Sequence, residues 1–137
     1  MNVEKSFDCS LDTIREIRRW IKDVLAAHNT PEDVIDDVIL AASEAVTNAL
    51  VHGYSDTRHG RIDARVQFSD GAIALAIRDY GSGFRRKQYM PPDTSTPHEG
   101  GYGVYLMQTL MDEVEVVPLG EGTEVRMTKT IRSGPTS

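Results

Sequence analysis

Arg61-Ile-Asp-Ala-Arg-Val-Gln-Phe68, Ser69-Asp-Gly71 and Ala72-Ile-Ala-Leu-Ala-Ile-Arg-Asp79 decide how the rest of the chain is read. Ile62, Ala64, Val66 and Phe68 fall on one side of a period-two pattern, and Ile73, Leu75 and Ile77 continue it, as expected of two strands with one buried face. Ser69-Asp70-Gly71 supplies the hairpin turn between them. The second strand stops at Asp79, where Gly81 and Gly83 begin an irregular segment rich in Pro, Thr and Ser that runs to Gly101. A connection of this length in a small domain is uncommon and usually functional, so about 84–100 is expected to form a lid, against the alternative of a disordered excursion.

Upstream, the periodicity is helical. Lys5–Cys9 reads as a short strand, and Ser10 as the N-cap of a helix over Leu11–Ala27 whose apolar stripe is Leu11, Ile14, Ile17, Ile21, Val24 and Leu25. Thr30 as N-cap with Pro31 in the first helical position starts a second helix, with Glu32 and Asp33 in its first turn and His52-Gly53 as its stop. Downstream, Gly103 opens a helix through about Met111, followed by a strand over Glu113–Val117, a turn at Leu119–Gly122, a strand from Thr123 to about Ile131 and a frayed tail over 132–137. Helices grouped in this way, rather than alternating regularly with strands, predict an α+β two-layer sandwich instead of a doubly wound parallel sheet.

The 137 residues fit one domain, 1–137, that can bury a core without staples. No apolar run approaches the roughly 20 residues that cross a bilayer, and the N-terminus lacks the pattern of a secretory signal, so a cytoplasmic protein without a membrane partner is expected. Cys9 is the only cysteine, which excludes an internal disulfide. A net charge of −6 argues against direct nucleic-acid binding, which needs a basic surface. It does not argue against a nucleotide, because local N–H groups and a metal ion act at contact distance.

Three patterns carry chemistry. Glu44, Asn48 and His52 recur every four residues and share one helical face, flanked by Ala41, Ala45 and Ala49. Small neighbours of that kind make room for a ligand, although a solvated polar stripe has the same spacing. Asn48 offers a carboxamide oxygen suited to Mg²⁺, and Glu44 a base for an attacking water or hydroxyl. His52 suits orientation or capping, and His52 with His59 lacks the further ligands of a zinc site. Asp79 at a strand end before Gly81 and Gly83 suits an exocyclic amino group such as adenine's, because a carboxylate only accepts hydrogen bonds; a simple turn aspartate is the competing reading. Gly100-Gly101-Tyr-Gly103 before an apolar helix directs N–H groups at phosphates or merely makes a turn. It matches neither the Walker nor the dinucleotide glycine pattern.

Taken together and in order, these motifs resemble the GHKL ATPase superfamily. Glu44-x-x-x-Asn48 is similar to its N box, Asp79-x-Gly81-x-Gly83 to its first glycine box, Gly101-x-Gly103 to its second, and Gly122-Thr123 to the turn before its last strand. Glu44-Ala-Val-Thr-Asn-Ala-Leu-Val-His-Gly-Tyr54 and the stretch from Gly100 to Val114 further resemble the small bacterial anti-sigma-factor serine/threonine kinases. The resemblance implies the Bergerat-type fold, a mixed, mostly antiparallel sheet with helices on one face. It implies ATP and Mg²⁺ as ligands, with Asn48 on the metal, Asp79 and Thr123 at adenine, Gly81 and Gly83 shaping the base pocket, and Gly100, Gly101, Gly103 and Val104 near the phosphates together with His52. It also implies that Glu44 activates the hydroxyl of a STAS-type anti-anti-sigma protein, that a sigma factor is the second partner, and that the chain forms a homodimer. A nucleotide-gated binding protein without phosphotransfer and a stand-alone ATPase are the alternative readings.

Overall fold

The computed structural model describes residues 2–10, 12–50, 60–80, 99–120 and 122–131. In chain order the elements are β1 (Asn2–Asp8), α1 (Thr13–Ala27), α2 (Glu32–Asn48), β2 (Arg61–Ser69), β3 (Ala72–Asp79), α3 (Glu99–Leu110), β4 (Glu113–Pro118) and β5 (Thr123–Thr130). The strands form one sheet in the order β1-β2-β3-β5-β4. All four pairs are antiparallel, so among the described residues the expected mixed sheet is wholly antiparallel.

The hairpin forms where the alternation placed it. Gly71, at φ +74°, takes the left-handed conformation that the Asp70-Gly71 turn needs, and its carbonyl accepts the Ile131 N–H at 2.7 Å. Ala64 and Val66 on β2 meet Ile77 and Leu75 on β3, which meet Val125 and Met127 on β5. These side chains are almost fully buried and share one core with Ile17, Ile21 and Leu25 of α1 and with Val38, Ala41, Ala42, Ala45 and Val46 of α2. The other sheet face carries Asp63, Arg65, Arg78, Glu124 and Arg126, where Glu124 pairs with Arg126 along β5 at 2.5 Å and with Arg65 of β2 at 3.8 Å.

The helix starts differ from the sequence expectation. Helix α1 begins at Thr13 with Asp12 in the capping position; the Ser10 hydroxyl instead accepts the Asp12 N–H at 3.1 Å, closing a turn ahead of the helix. Pro31, at φ −60° and ψ 145°, stands outside α2 as its cap rather than in its first turn, and its carbonyl accepts the N–H groups of Val34 and Ile35. Helix α3 begins at Glu99, so Gly100, Gly101 and Gly103 lie within its first turns and not before it. The break between α1 and α2 has a clear cause. Asn29 is left-handed at φ 56°, and the bonds from Thr30 N–H to Leu25 and from Asn29 N–H to Ala26 complete a Schellman stop.

Chain direction follows from a few side-chain ties. The Thr13 hydroxyl donates to the Asp8 carbonyl at 3.0 Å, so α1 leaves from the end of the sheet where β1 finishes. It arrives at the opposite end, where His28 stacks on Phe68 at 4.0 Å between ring centres. Helix α2 starts there, with Asp37 held by Lys129 at 3.1 Å, and runs back. Lys129 also donates to the Leu110 carbonyl, which fixes the C-terminus of α3 at the same far end and points its N-terminus the other way. The tail over 132–137 and most of the expected lid lie outside the described residues.

Leu75, 1% exposed at the centre of the sheet, is expected to lose about 2–5 kcal/mol of stability on substitution by Ala in urea denaturation, because the cavity cannot collapse within a close-packed sheet. The same truncation at Leu40, 43% exposed on α2, is expected to change stability by no more than about 0.5 kcal/mol.

Candidate nucleotide site

One end of the sheet gathers the C-terminus of α2, the end of β3, the first turn of α3 and the β4–β5 turn. Strand register makes the row explicit, with Asp79 directly across from Ile62 on one side and from Thr123 on the other. Asp79 is 2% exposed and Thr123 4%, both unusual for polar side chains and both on the core-facing side of the sheet.

The β4–β5 turn reaches Asp79 because residue 122 is glycine. Gly122 sits at φ +82°, and a Cβ built on it would lie 1.9 Å from the Asp79 carbonyl oxygen and 2.7 Å from the Tyr80 Cα. The turn is closed by the Leu119 N–H on the Gly122 carbonyl at 3.0 Å. Backbone therefore lies against backbone at the strand end that carries the carboxylate.

Asn48 arrives from the other layer. It is 6% exposed at the last turn of α2, and its side-chain Nδ2 is buried with no hydrogen-bond partner among the described residues. A buried amide left in this way costs about 1–3 kcal/mol unless something satisfies it. Glu44, one turn earlier, is half-buried. The alanines flanking this row, Ala41, Ala45 and Ala49, are buried in the core, so the polar row runs along the border of the core and is not a freely solvated stripe. After Asn48 the helix widens to a π turn at Ala49 and Leu50, a local irregularity frequent at functional sites.

Cys9 lies close enough to sense this carboxylate. Burial, then the charges of Asp79 and Asp8, push its thiol up to about 11 from an ordinary 9.0, so it is protonated and unreactive at neutral pH. No cluster of three or more His, Cys, Asp or Glu side chains able to hold a metal occurs among the described residues. Of the sequence-predicted residues, Asn48, Asp79 and Thr123 are buried at this end, with Glu44 one turn before Asn48, and the first turns of α3 carry Gly100, Gly101, Gly103 and Val104. His52, Gly81 and Gly83 lie outside the described residues. The closeness of Cys9 to Asp79 has no signal in the sequence beyond its position at the end of the expected first strand, Lys5–Cys9, one residue past the end of β1.

The histidine kinase-like ATPase domain matches residues 7–129. The chain belongs to this family. The domain is an ATPase one. A serine-protein kinase RsbW from Bacillus velezensis is 32% identical over 135 residues, covering 93% of this chain and 84% of the relative. An anti-sigma F factor from Clostridium botulinum is 41% identical over 102 residues, 71% of each chain. Among solved structures, the RsbU and RsbW domains of a Mycobacterium tuberculosis protein superpose with a TM-score of 0.74 at 21% identity, over 97% of this chain. This chain spans 33% of that longer polypeptide, and the likeness concerns the fold.

Two outcomes follow for this end of the sheet. Gly122→Ala is expected to lower stability by more than about 1 kcal/mol in denaturant melts, because both the positive φ and the contact with Asp79 exclude a side chain. For Cys9, removing the neighbouring charge favours the thiolate, so Asp79→Asn is expected to speed its alkylation at neutral pH. With the folded thiol protonated up to about 11 against 9.0, stability is fully present below 9.0 and declines as pH rises through that interval; Cys9→Ser is expected to lose that decline in melts at graded alkaline pH.

Proposed function

We propose that this chain is an ATP-dependent protein serine/threonine kinase and anti-sigma factor that phosphorylates a STAS-type anti-anti-sigma protein and regulates transcription by exchanging it for a sigma factor. The observation that carries the reading is the buried pair of Asn48, with its orphaned amide, and Asp79, at one end of the fold, in a chain whose relatives include proteins named serine-protein kinase and anti-sigma F factor.

The Asp79 carboxylate accepts the amino group of adenine and disfavours a carbonyl at that position, with Thr123 beside it and Gly81 and Gly83 leaving room for the ring. The first turn of α3, Glu99 through Gly103, leaves backbone N–H groups without intrahelical acceptors, and these receive the phosphates. Asn48 would hold Mg²⁺ through its carboxamide oxygen, an ion that takes one or two protein ligands and otherwise water and phosphate. Bound there, Mg²⁺ supplies charge neutralisation at the phosphates. Glu44 accepts the proton of the substrate serine or threonine as its oxygen bonds to the γ-phosphorus and ADP leaves. The new phosphate adds about −1.5 to −2 charge to the partner, which is repelled from a kinase that is itself acidic at −6. The chain works as a homodimer in the cytoplasm.

Labelled ATP mixed with this chain, Mg²⁺ and a STAS partner is expected to place label on a partner serine or threonine. Glu44→Ala is expected to reduce that transfer by roughly 10²–10⁴-fold while ATP affinity is retained. Label appearing only as free phosphate, or transfer that is indifferent to Glu44, would contradict the kinase reading.

A further inference from the structure

Asp79 and Tyr80 are consecutive, so their side chains leave the strand on opposite faces. Asp79 is buried on the core side, whereas Tyr80 turns to the charged outer face of the sheet, donating its hydroxyl to Asp63 on β2. Asp63 is not a casual acceptor. It stands across from Ser6 on β1 and Arg78 on β3, accepts the Ser6 hydroxyl at 2.6 Å and pairs with the Arg61 guanidinium at 3.2 Å. Both arginines also lie over the Tyr80 ring, Arg61 at 4.5 Å and Arg78 at 4.4 Å from its centre. Burial pushes the Asp63 carboxyl upward, but the hydrogen bonds from Ser6 and Tyr80 and the charges of Arg61 and Arg78 outweigh it and hold the group below its ordinary 3.8. The acceptor is therefore ionised, and its bond with the phenol is a charge-assisted one.

The backbone between the two side chains is also confined. Gly122 presses on the Asp79 carbonyl and the Tyr80 Cα, leaving no space for even one methyl group. The end of β3 is thus held at Asp79 by the β4–β5 turn, and the next residue, Tyr80, by that turn and by a side-chain tie to β2. A tyrosine whose only task was to cover apolar surface would need neither the carboxylate nor two guanidinium groups.

We propose that Tyr80, through its bond to Asp63 and its contacts with Arg61 and Arg78, is a positioning residue that fixes the Asp79 carboxylate for recognition of the nucleotide base. This rests on the reading that Asp79 receives the adenine amino group. Tyr80 does not touch the base. It determines how sharply the site separates a purine carrying an amino group at that position from one carrying a carbonyl, since the carboxylate must stay in line with the donor to reject the acceptor.

The test compares ATP with inosine triphosphate, which replaces the amino group by a carbonyl, in equilibrium binding to the full chain, to Tyr80→Phe, Asp63→Asn and Asp79→Asn. Tyr80→Phe keeps the ring under the arginines and removes only the hydroxyl. It is expected to narrow the preference for ATP by about fivefold or more, with Asp63→Asn acting in the same direction and Asp79→Asn abolishing the preference. Loss of stability alone lowers both affinities together and leaves their ratio intact, so a structural role would not move this readout. If Asp79→Asn collapses the preference while Tyr80→Phe and Asp63→Asn both leave it unchanged, the positioning role is overturned and the base reading stands. A preference unaffected by Asp79→Asn overturns the base reading, and the positioning role with it.

Discussion

Strand β5 can lie against the end of β3 only because residue 122 has no side chain. The contact of Gly122 with the Asp79 carbonyl and Tyr80 Cα sets how the last hairpin meets the strand that bears the buried carboxylate. From that contact the register follows, Asp79 opposite Thr123, then Ile77 opposite Val125 and Leu75 opposite Met127, and with it the apolar row on which the helices rest. A carboxylate and a hydroxyl that would ordinarily remain in water are thereby buried side by side.

Direction of travel explains why the remaining groups arrive at the same place. Helices α1 and α2 form a hairpin closed by the left-handed Asn29, so α2 returns toward the end from which α1 departed and brings Glu44 and Asn48 with it. Helix α3 is tied at its far end by Lys129, which leaves its N-terminal turn facing back. Contributions from four separate stretches of chain thus converge without any of them being adjacent in sequence. The charged outer face of the sheet supplies a second set of contacts, made by Tyr80 next to Asp79.

Much of this was open to reading from residue order, and the failures have physical causes. The β2–β3 hairpin was explicit because period two and the Asp70-Gly71 turn agree, and β3 ends at Asp79 as expected. Helix starts were harder. Ser10 and Thr30 both have cap chemistry, but Ser10 closes a turn with Asp12, and Pro31 holds the extended conformation that keeps it outside α2. The start of α3 was placed too late because glycines are poor helix formers, and tertiary context overrode that preference. Spacing brought Glu44 and Asn48 to one face, yet could not say that the flanking alanines belong to the core or that the Asn48 amide would be left without a partner. The tie from Tyr80 to Asp63 joins the residue that follows β3 to β2 and the two arginines beside it, a juxtaposition that only the register creates.

The most direct measurement is a crystal structure of the chain with Mg²⁺ and a non-hydrolysable ATP analogue. The adenine amino group is expected within hydrogen-bond distance of the Asp79 carboxylate, the Asn48 carboxamide oxygen on the metal, and the phosphates at the first turn of α3. A nucleotide seated away from Asp79 and Asn48, for instance against the arginines on the outer side of α1, would contradict the assignment of this end of the sheet as the nucleotide site.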